Sequence, residues 1–151
     1  LSDGALVRVV RKMQDLPGQH VFKYVDEDGD ICSVGSGDVN DYLRETMGQD
    51  FTAKNFRTWH ASVLALKLLA ETRDKLPLKA VLADVAAHLG NTPAVTRKSY
   101  IHPAVLALVE RQEEWRADFR LPRATQWLAR EERALLDLLE SSPAAQKLLA
   151  A

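Results

Sequence analysis

The segment 89–103 restricts the fold most, because it contains two helix boundaries and one tyrosine. Gly90 ends an apolar helical pattern and predicts a helix C-terminus. Thr92-Pro93 predicts the next helix start, with threonine as the N-cap and proline at the first helical position. Tyr100 should therefore lie at or just beyond the end of a short helix, before His102-Pro103 interrupts the chain.

Tyr100 has a donor-rich sequence environment. A tyrosine hydroxyl is a poor nucleophile at neutral pH, so chemistry at this residue needs an electropositive pocket with hydrogen-bond donors. Taken alone, a tyrosine near a helix end is usually a half-buried packing residue. Lys54, one helical turn before Arg57, is explained equally well as a phosphate contact or as a solvated lysine. The candidates to build the pocket are Arg57, Asn91, Arg97 and Lys98.

The charge of the chain is distributed unevenly. The net charge is −1, but residues 21–50 carry two basic against eight acidic side chains, whereas residues 51–102 carry eight basic against three acidic ones. The positive part contains Tyr100, so a polyanion is a plausible ligand. Arg97 and Lys98 fit phosphate contacts better than catalytic roles, because contacts to the backbone dominate protein–DNA interfaces.

Length and composition indicate one globular domain. The 151 residues are 46% hydrophobic and 27% charged, which is enough to bury a core. Polar residues interrupt the apolar runs and the start of the sequence lacks an export signal, so we expect a soluble, intracellular protein. Cys32, the single cysteine, cannot form an internal disulfide and is expected to be structural within a strand.

The hydrophobic periodicity predicts mostly helices and one hairpin. Two short strands, at residues 21–25 and 30–34, flank an Asp-Gly turn. Ser36 or Asp38 is expected to cap the following helix, and Thr52 the one after it. The predicted helices cover about residues 6–13, 36–47, 53–72, 77–89, 93–99, 103–117, 125–139 and 143–150.

Aromatic residues are predicted to pack in the interior. On the helix over 53–72, Phe56 and Trp59 share a face with Val63 at helical spacing. Trp115 and Trp127 are interpreted as core or helix-packing residues in the same way. None of these side chains is assigned a role in binding a ligand.

Metal binding is not predicted. Asp26, Asp28 and Asp30 resemble the start of a calcium loop, but Gly29 comes too early in the loop and Gly37 stands where a bidentate glutamate is required. The histidines of the chain have no zinc-like spacing with cysteine or aspartate. We therefore expect neither a metal nor any other cofactor.

Two motifs together resemble a known family. Residues 51–59, Phe-Thr-Ala-Lys-Asn-Phe-Arg-Thr-Trp, followed by the segment 89–103, are similar to the catalytic domain of type IB DNA topoisomerases, most closely the short bacterial and poxvirus-like forms. The resemblance implies a mainly α, multi-helix catalytic domain of the topoisomerase IB and tyrosine recombinase type with a small β-hairpin, spanning residues 1–151. It also implies a monomer that acts on duplex DNA in the cytoplasm, at the nucleoid, and does not bind membranes.

The resemblance further implies a reaction and roles for individual residues. The family cleaves one DNA strand through a transient 3′-phosphotyrosyl bond, relaxes supercoils by rotation and reseals the strand without ATP or an obligatory metal. Tyr100 matches the nucleophile, and Arg57 matches the arginine that binds a non-bridging oxygen of the scissile phosphate. Asn91 stands where many members have histidine, as the second oxygen donor. Further DNA contacts are expected from Lys54, Arg97 and Lys98.

Part of the family's machinery has no counterpart in this sequence. The family protonates the leaving 5′-oxygen with a lysine on a β-hairpin and uses a further arginine, both upstream of the segment resembled here. Lys12 and Lys23 are not at matching positions. We therefore expect a fragment that lacks an N-terminal DNA-clamping domain and is a poor relaxing enzyme by itself.

Two other functions remain open from the sequence. A tyrosine recombinase shares the fold, but its arginine motif usually reads His-x-x-Arg-His, whereas here Lys54 occupies the first position and Trp59 follows Arg57 by two. That difference favours the topoisomerase. The other alternative is a helical module that binds DNA or protein and carries a tyrosine with no catalytic role.

Overall fold

A computed structural model describes residues 3–143 of the protein. Within this range the chain forms eight helices and one two-stranded antiparallel sheet. The predicted fold class, mainly α with a small hairpin, is confirmed. The elements are α1 Gly4–Gln14, β1 Lys23–Val25, β2 Ile31–Ser33, α2 Ser36–Met47, α3 Ala53–Glu71, α4 Leu78–Leu89, α5 Pro93–Ser99, α6 Pro103–Leu108, α7 Gln112–Asp118 and α8 Arg130–Ser141.

The chain divides into two compact units after Ala53. The first contains α1, the hairpin and α2. In the hairpin Tyr24 pairs with Cys32, and Gly29 has the positive φ of 88° that the turn requires. Asp26 accepts the backbone N–H groups of Asp28 and Asp30, and these bonds lower the pKa of its carboxyl group. The Asp26 carboxylate is therefore used in hydrogen bonds to the backbone of its own turn.

Two details of the first unit differ from the sequence prediction. Each strand is shorter than predicted, three residues instead of five. The N-cap of α2 is Gly35, so the prediction of Ser36 or Asp38 was wrong. Asp38 acts from the third helical position instead, where its carboxylate accepts the backbone N–H of Gly35 at 2.7 Å.

The second unit holds the hydrophobic core. The buried residues of α3 recur every three or four positions from Ala61 onwards. Phe56, about one and a half turns before Ala61, is 49% exposed. The prediction that Phe56 faces the core was wrong, because the helix reaches the core only from Trp59 onwards. The fully buried aliphatic side chains of this core are Leu66, Leu69, Val81, Val85, Val105, Leu108 and Leu135.

The helix predicted over 103–117 is broken into α6 and α7. The side chain of Gln112 is fully buried and exchanges hydrogen bonds of 2.8 Å with both the N–H and the carbonyl of Leu76. It also donates to the carbonyl of Val109 at 2.7 Å, at the break itself. This buried amide has hydrogen-bond partners for both its oxygen and its nitrogen, and these bonds stabilise the break between α6 and α7 relative to a continuous helix.

The C-terminal part begins its helix later than predicted. Thr125 forms a turn in which its hydroxyl accepts the N–H groups of Trp127 and Leu128, and α8 starts only at Arg130. Trp127 is 83% exposed, so its interpretation as a packing residue was wrong. Trp59 and Trp115 do pack against the core. The helix predicted over 143–150 lies outside the described residues except for Pro143. Between residues 3 and 143, no helix has the length and apolar character needed to cross a bilayer.

Candidate active site

Arg57 lies against Tyr100. Its Nη2 atom donates a 2.9 Å hydrogen bond to the carbonyl of Leu89, at the C-terminal end of α4. The guanidinium carbon is 5.1 Å from the centroid of the Tyr100 ring, a distance typical of a cation–π contact. A guanidinium has five N–H donors, and no second hydrogen bond ties this one to any described residue. Arg57 is therefore oriented at two points and keeps donors for a ligand.

The turn after α4 places Asn91. Gly90 is left-handed, with φ of 65° and ψ of 35°, and the N–H of Asn91 binds the carbonyl of Ala86 at 3.0 Å. The side chain of Asn91 is half-buried, and within the described part of the chain its buried Nδ2 has no acceptor. Leaving a buried amide donor unpaired is energetically costly, so this atom is a candidate donor to a ligand.

Tyr100 ends α5, as predicted from Thr92-Pro93. Thr92 is the N-cap, its hydroxyl accepting the N–H of Val95 at 3.3 Å, and the N–H of Tyr100 donates to the carbonyl of Thr96 at 3.0 Å. The ring is half-buried against the core. Its hydroxyl makes no hydrogen bond to any residue between 3 and 143. The ring is thus held while the hydroxyl stays available.

Two hydroxyl groups of α3 hold the backbone around Tyr100. Ser62, which is 1% exposed, accepts the N–H of His102 at 2.9 Å and lies 3.5 Å from the carbonyl of Tyr100. Thr58 donates to the carbonyl of Ser99 at 3.5 Å. The sequence analysis missed both residues. Their spacing of four on the helix that carries Arg57 was the available signal, since it puts two hydroxyls on one face.

His102 has a structural contact of its own. Its Nδ1 atom accepts the N–H of Ala104 at 3.2 Å, which makes it the N-cap of α6. Burial lowers the pKa of the imidazole and favours the neutral form that this contact requires. The side chain therefore fixes the start of α6 directly after the Tyr100 segment.

Helix α8 is tied to α3 next to Arg57. The indole N–H of Trp59 donates to Glu132 at 3.0 Å, and the other carboxylate oxygen accepts the N–H of Ala129 at 2.9 Å. The bonds from Ala129 and then from Trp59 lower the pKa of Glu132. Sequence reasoning did not identify this glutamate, because 73 residues separate the two partners.

The remaining predicted site residues lie at the surface of the same unit. Lys54 is exposed on the first turn of α3, and Arg97 and Lys98 are exposed on the last turn of α5, directly before Tyr100. Within 3–143 none of the three forms an ion pair; the pairs present are Arg44–Asp41 and Lys67–Glu71. The surface around the tyrosine therefore carries uncompensated positive charge. No group of His, Cys, Asp and Glu side chains suited to a metal occurs in the described part of the chain.

Comparison with known proteins identifies the family of the chain. The family described as eukaryotic DNA topoisomerase I, catalytic core, matches residues 3–120, a range that contains all six predicted site residues. The chain belongs to this DNA topoisomerase family. The type IB resemblance inferred from the two motifs is confirmed by a relative from Acanthamoeba polyphaga mimivirus, named DNA topoisomerase 1B, which is 35% identical over 120 residues. The alignment covers 70% of this chain and 36% of the relative, so the chain spans about a third of that topoisomerase's length.

Proposed function

We propose that the protein relaxes supercoiled duplex DNA by cutting and resealing one strand through Tyr100. The phenolic oxygen attacks the scissile phosphorus, a bond from phosphorus to Tyr100 forms, and the bond to the 5′-oxygen breaks. The product is a 3′-phosphotyrosyl ester and a free 5′-hydroxyl. Return attack by that hydroxyl restores the DNA and the tyrosine. Because one phosphoester replaces another, the cycle needs no ATP, and the family resemblance implies that it needs no obligatory metal.

The contact between Arg57 and Tyr100 carries this proposal. Negative charge gathers on the non-bridging oxygens as the phosphorus is attacked, and a guanidinium can donate two parallel hydrogen bonds to them. The bond to Leu89 and the ring of Tyr100 orient the guanidinium before DNA arrives. A cation beside the ring also favours negative charge developing on the phenolic oxygen.

Asn91 supplies the second donor in this proposal. Its unpaired Nδ2 gains an acceptor when a phosphate oxygen enters the site. The proposal requires the half-buried side chain to turn, so that this donor, which is buried without DNA, meets that oxygen. An amide is neutral, so it contributes a hydrogen bond without the charge that Arg57 provides.

The proton of the leaving group comes from outside the described site. A 5′-alkoxide is a poor leaving group, so an acid must protonate it as the bond to phosphorus breaks. Lys12 and Lys23 are not assigned this role, and Lys23 donates to the carbonyl of Gly18 at 2.9 Å. In this proposal the acid is none of the residues assigned to the site, and the family resemblance implies a lysine on a β-hairpin for this role.

Lys54, Arg97 and Lys98 are proposed to position the DNA. They are exposed and unpaired, so each can neutralise a backbone phosphate of a duplex lying across Tyr100. Contacts of this kind make binding fall steeply with salt and carry no sequence information by themselves. We propose that the protein binds duplex DNA as a monomer and acts at the nucleoid.

A covalent-capture experiment tests the nucleophile. The intact protein is incubated with a suicide DNA substrate, in which the strand to be cleaved ends shortly after the cleavage site. The short 5′-hydroxyl product then dissociates, and the covalent adduct accumulates. We expect a covalent complex with the wild-type protein and none with Tyr100→Phe, which keeps the ring beneath Arg57. Tyr42→Phe is the matched control, because Tyr42 is 64% exposed in the first unit.

Two results would contradict the proposal. One is an adduct that persists in Tyr100→Phe, and the other is binding of DNA by the wild-type protein with no adduct at all. A plasmid assay without ATP and with a metal chelator then tests relaxation. Strand exchange between specific sites without relaxation would identify a recombinase instead.

A further inference from the structure

We infer that Ser62 is a positioning residue that holds Tyr100 at the correct distance from Arg57. The inference rests on the proposed function, since it concerns how the same tyrosine is presented to the phosphate. Ser62 does not touch the DNA in this view. It acts through the two backbone peptide groups that follow the tyrosine's Cα atom.

The geometry around Ser62 supports this role. Its hydroxyl accepts the N–H of His102 at 2.9 Å and lies 3.5 Å from the carbonyl of Tyr100, so one oxygen contacts the backbone at both peptide groups that follow the tyrosine. Ser62 is 1% exposed, so water does not replace it in these contacts. Thr58, one turn earlier, binds the carbonyl of Ser99 and contacts the peptide group that precedes the tyrosine.

The same helix carries the arginine. Arg57 and Ser62 are five residues apart on α3, so about 7.5 Å of helix axis separates them. Hydrogen bonds from α3 therefore fix the backbone around Tyr100, and the guanidinium of Arg57 on the same helix lies 5.1 Å from the centroid of the Tyr100 ring. If the hydroxyls are lost, the short segment between α5 and α6 can shift relative to Arg57. A shift of this kind lowers the rate of attack without removing a DNA contact.

The test separates chemistry from binding and from stability. For the intact protein we would measure the single-turnover cleavage rate constant on the suicide substrate at saturating protein, the dissociation constant for DNA, and the thermal unfolding midpoint. Ser62→Ala should lower the cleavage rate constant about tenfold, because a buried N–H loses its acceptor next to the nucleophile. The dissociation constant should change less than about twofold, because no side chain that faces DNA is altered.

Paired variants control for loss of stability. Gln112→Met removes a buried amide that binds Leu76 and Val109, away from the tyrosine backbone. It should lower the unfolding midpoint while the folded protein cleaves at the wild-type rate. Thr58→Val keeps the shape of threonine without its hydroxyl and should slow cleavage about threefold, whereas Thr58→Ser restores the hydroxyl and the rate.

The outcomes distinguish this inference from the proposed function. Slower cleavage in Ser62→Ala and Thr58→Val, with unchanged binding and with rescue by Thr58→Ser, supports positioning. Wild-type cleavage rates in both variants overturn it while leaving Tyr100 as the nucleophile. An equal slowing in Gln112→Met also overturns it, because general destabilisation then explains the loss. If the wild-type protein forms no adduct through Tyr100, the inference falls together with the proposed function.

Discussion

Replacing Arg57 offers the sharpest test of the site, because its contacts contribute little to the stability of the fold compared with its proposed contribution to cleavage. Within residues 3–143 the guanidinium makes one hydrogen bond, to the carbonyl of Leu89, and one contact with the Tyr100 ring. Both contacts are made by the side chain of Arg57, which is exposed to solvent. An exposed cation–π contact contributes about 0.5–1 kcal/mol, and the hydrogen bond about as much. Arg57→Ala should therefore cost roughly 1–2 kcal/mol of unfolding free energy.

The expected catalytic loss is larger. Removing a single donor from a preorganised oxyanion site costs about 3–4 kcal/mol of transition-state stabilisation, and alanine also removes the charge. We expect Arg57→Ala to slow cleavage of a suicide substrate at least about 1,000-fold. Arg57→Lys keeps the charge but loses the planar pair of donors, so its cleavage rate should fall about 10- to 100-fold.

The assay is single-turnover adduct formation at saturating protein, measured alongside urea unfolding of each variant. The reasoning is refuted if Arg57→Ala cleaves within tenfold of the wild-type protein while its DNA binding is unchanged. It is also refuted if Arg57→Lys and Arg57→Ala lose the same amount of activity, because the paired donors and the charge would then contribute nothing separately.

Four further predictions concern the surrounding structure. Asn91→Ala should slow cleavage about 10- to 100-fold and should not destabilise the fold, because its Nδ2 has no partner to lose; a large fall in the unfolding midpoint would argue against an unpaired donor. Gly90→Ala should cost about 1–2 kcal/mol of unfolding free energy in urea titration, since its φ of 65° is unfavourable for alanine although nothing blocks the added methyl group. The pKa of Glu132 is lowered in the folded state, so its stabilising contribution is present above pH 4.5 and is lost as the pH falls through the folded value; Glu132→Gln should flatten this part of the stability curve. The pKa of His102 is also lowered, so the unfolded chain takes up the proton first and stability falls as the pH drops below about 6.5; His102→Asn keeps an N-cap and should remove that fall, measured by thermal unfolding from pH 7 to 5.

The sequence was most informative where local rules decide the structure. Gly90 and Thr92-Pro93 fixed the end of α4 and the start of α5, because a left-handed stop and a capped start depend on adjacent residues alone. The position of Tyr100 at the end of α5 followed from them. The two motifs also gave the correct family, which periodicity alone does not provide.

The sequence was least informative where distant residues decide the structure. Gln112 breaks the predicted 103–117 helix by binding Leu76, 36 residues earlier, and no local sequence pattern indicates that contact. Phe56 and Trp127 were placed inside because large aromatic residues usually are, yet both are exposed. The convergence of Arg57 with Tyr100 was an expectation from the resemblance, since helix periodicity does not say which helices meet.

The long sequence separations within the site have a consequence for the chain during its synthesis. Arg57 needs a carbonyl 32 residues further on, Ser62 a backbone N–H 40 residues further on, and Trp59 a carboxylate 73 residues further on. At usual translation rates, about 4–15 s separate the synthesis of Trp59 from that of Glu132. A ribosome-bound chain that has made only α3 therefore has Arg57 without the carbonyl of Leu89 and without the ring of Tyr100. The hydrogen bonds that α3 makes within this unit are complete only after Glu132 has been synthesised.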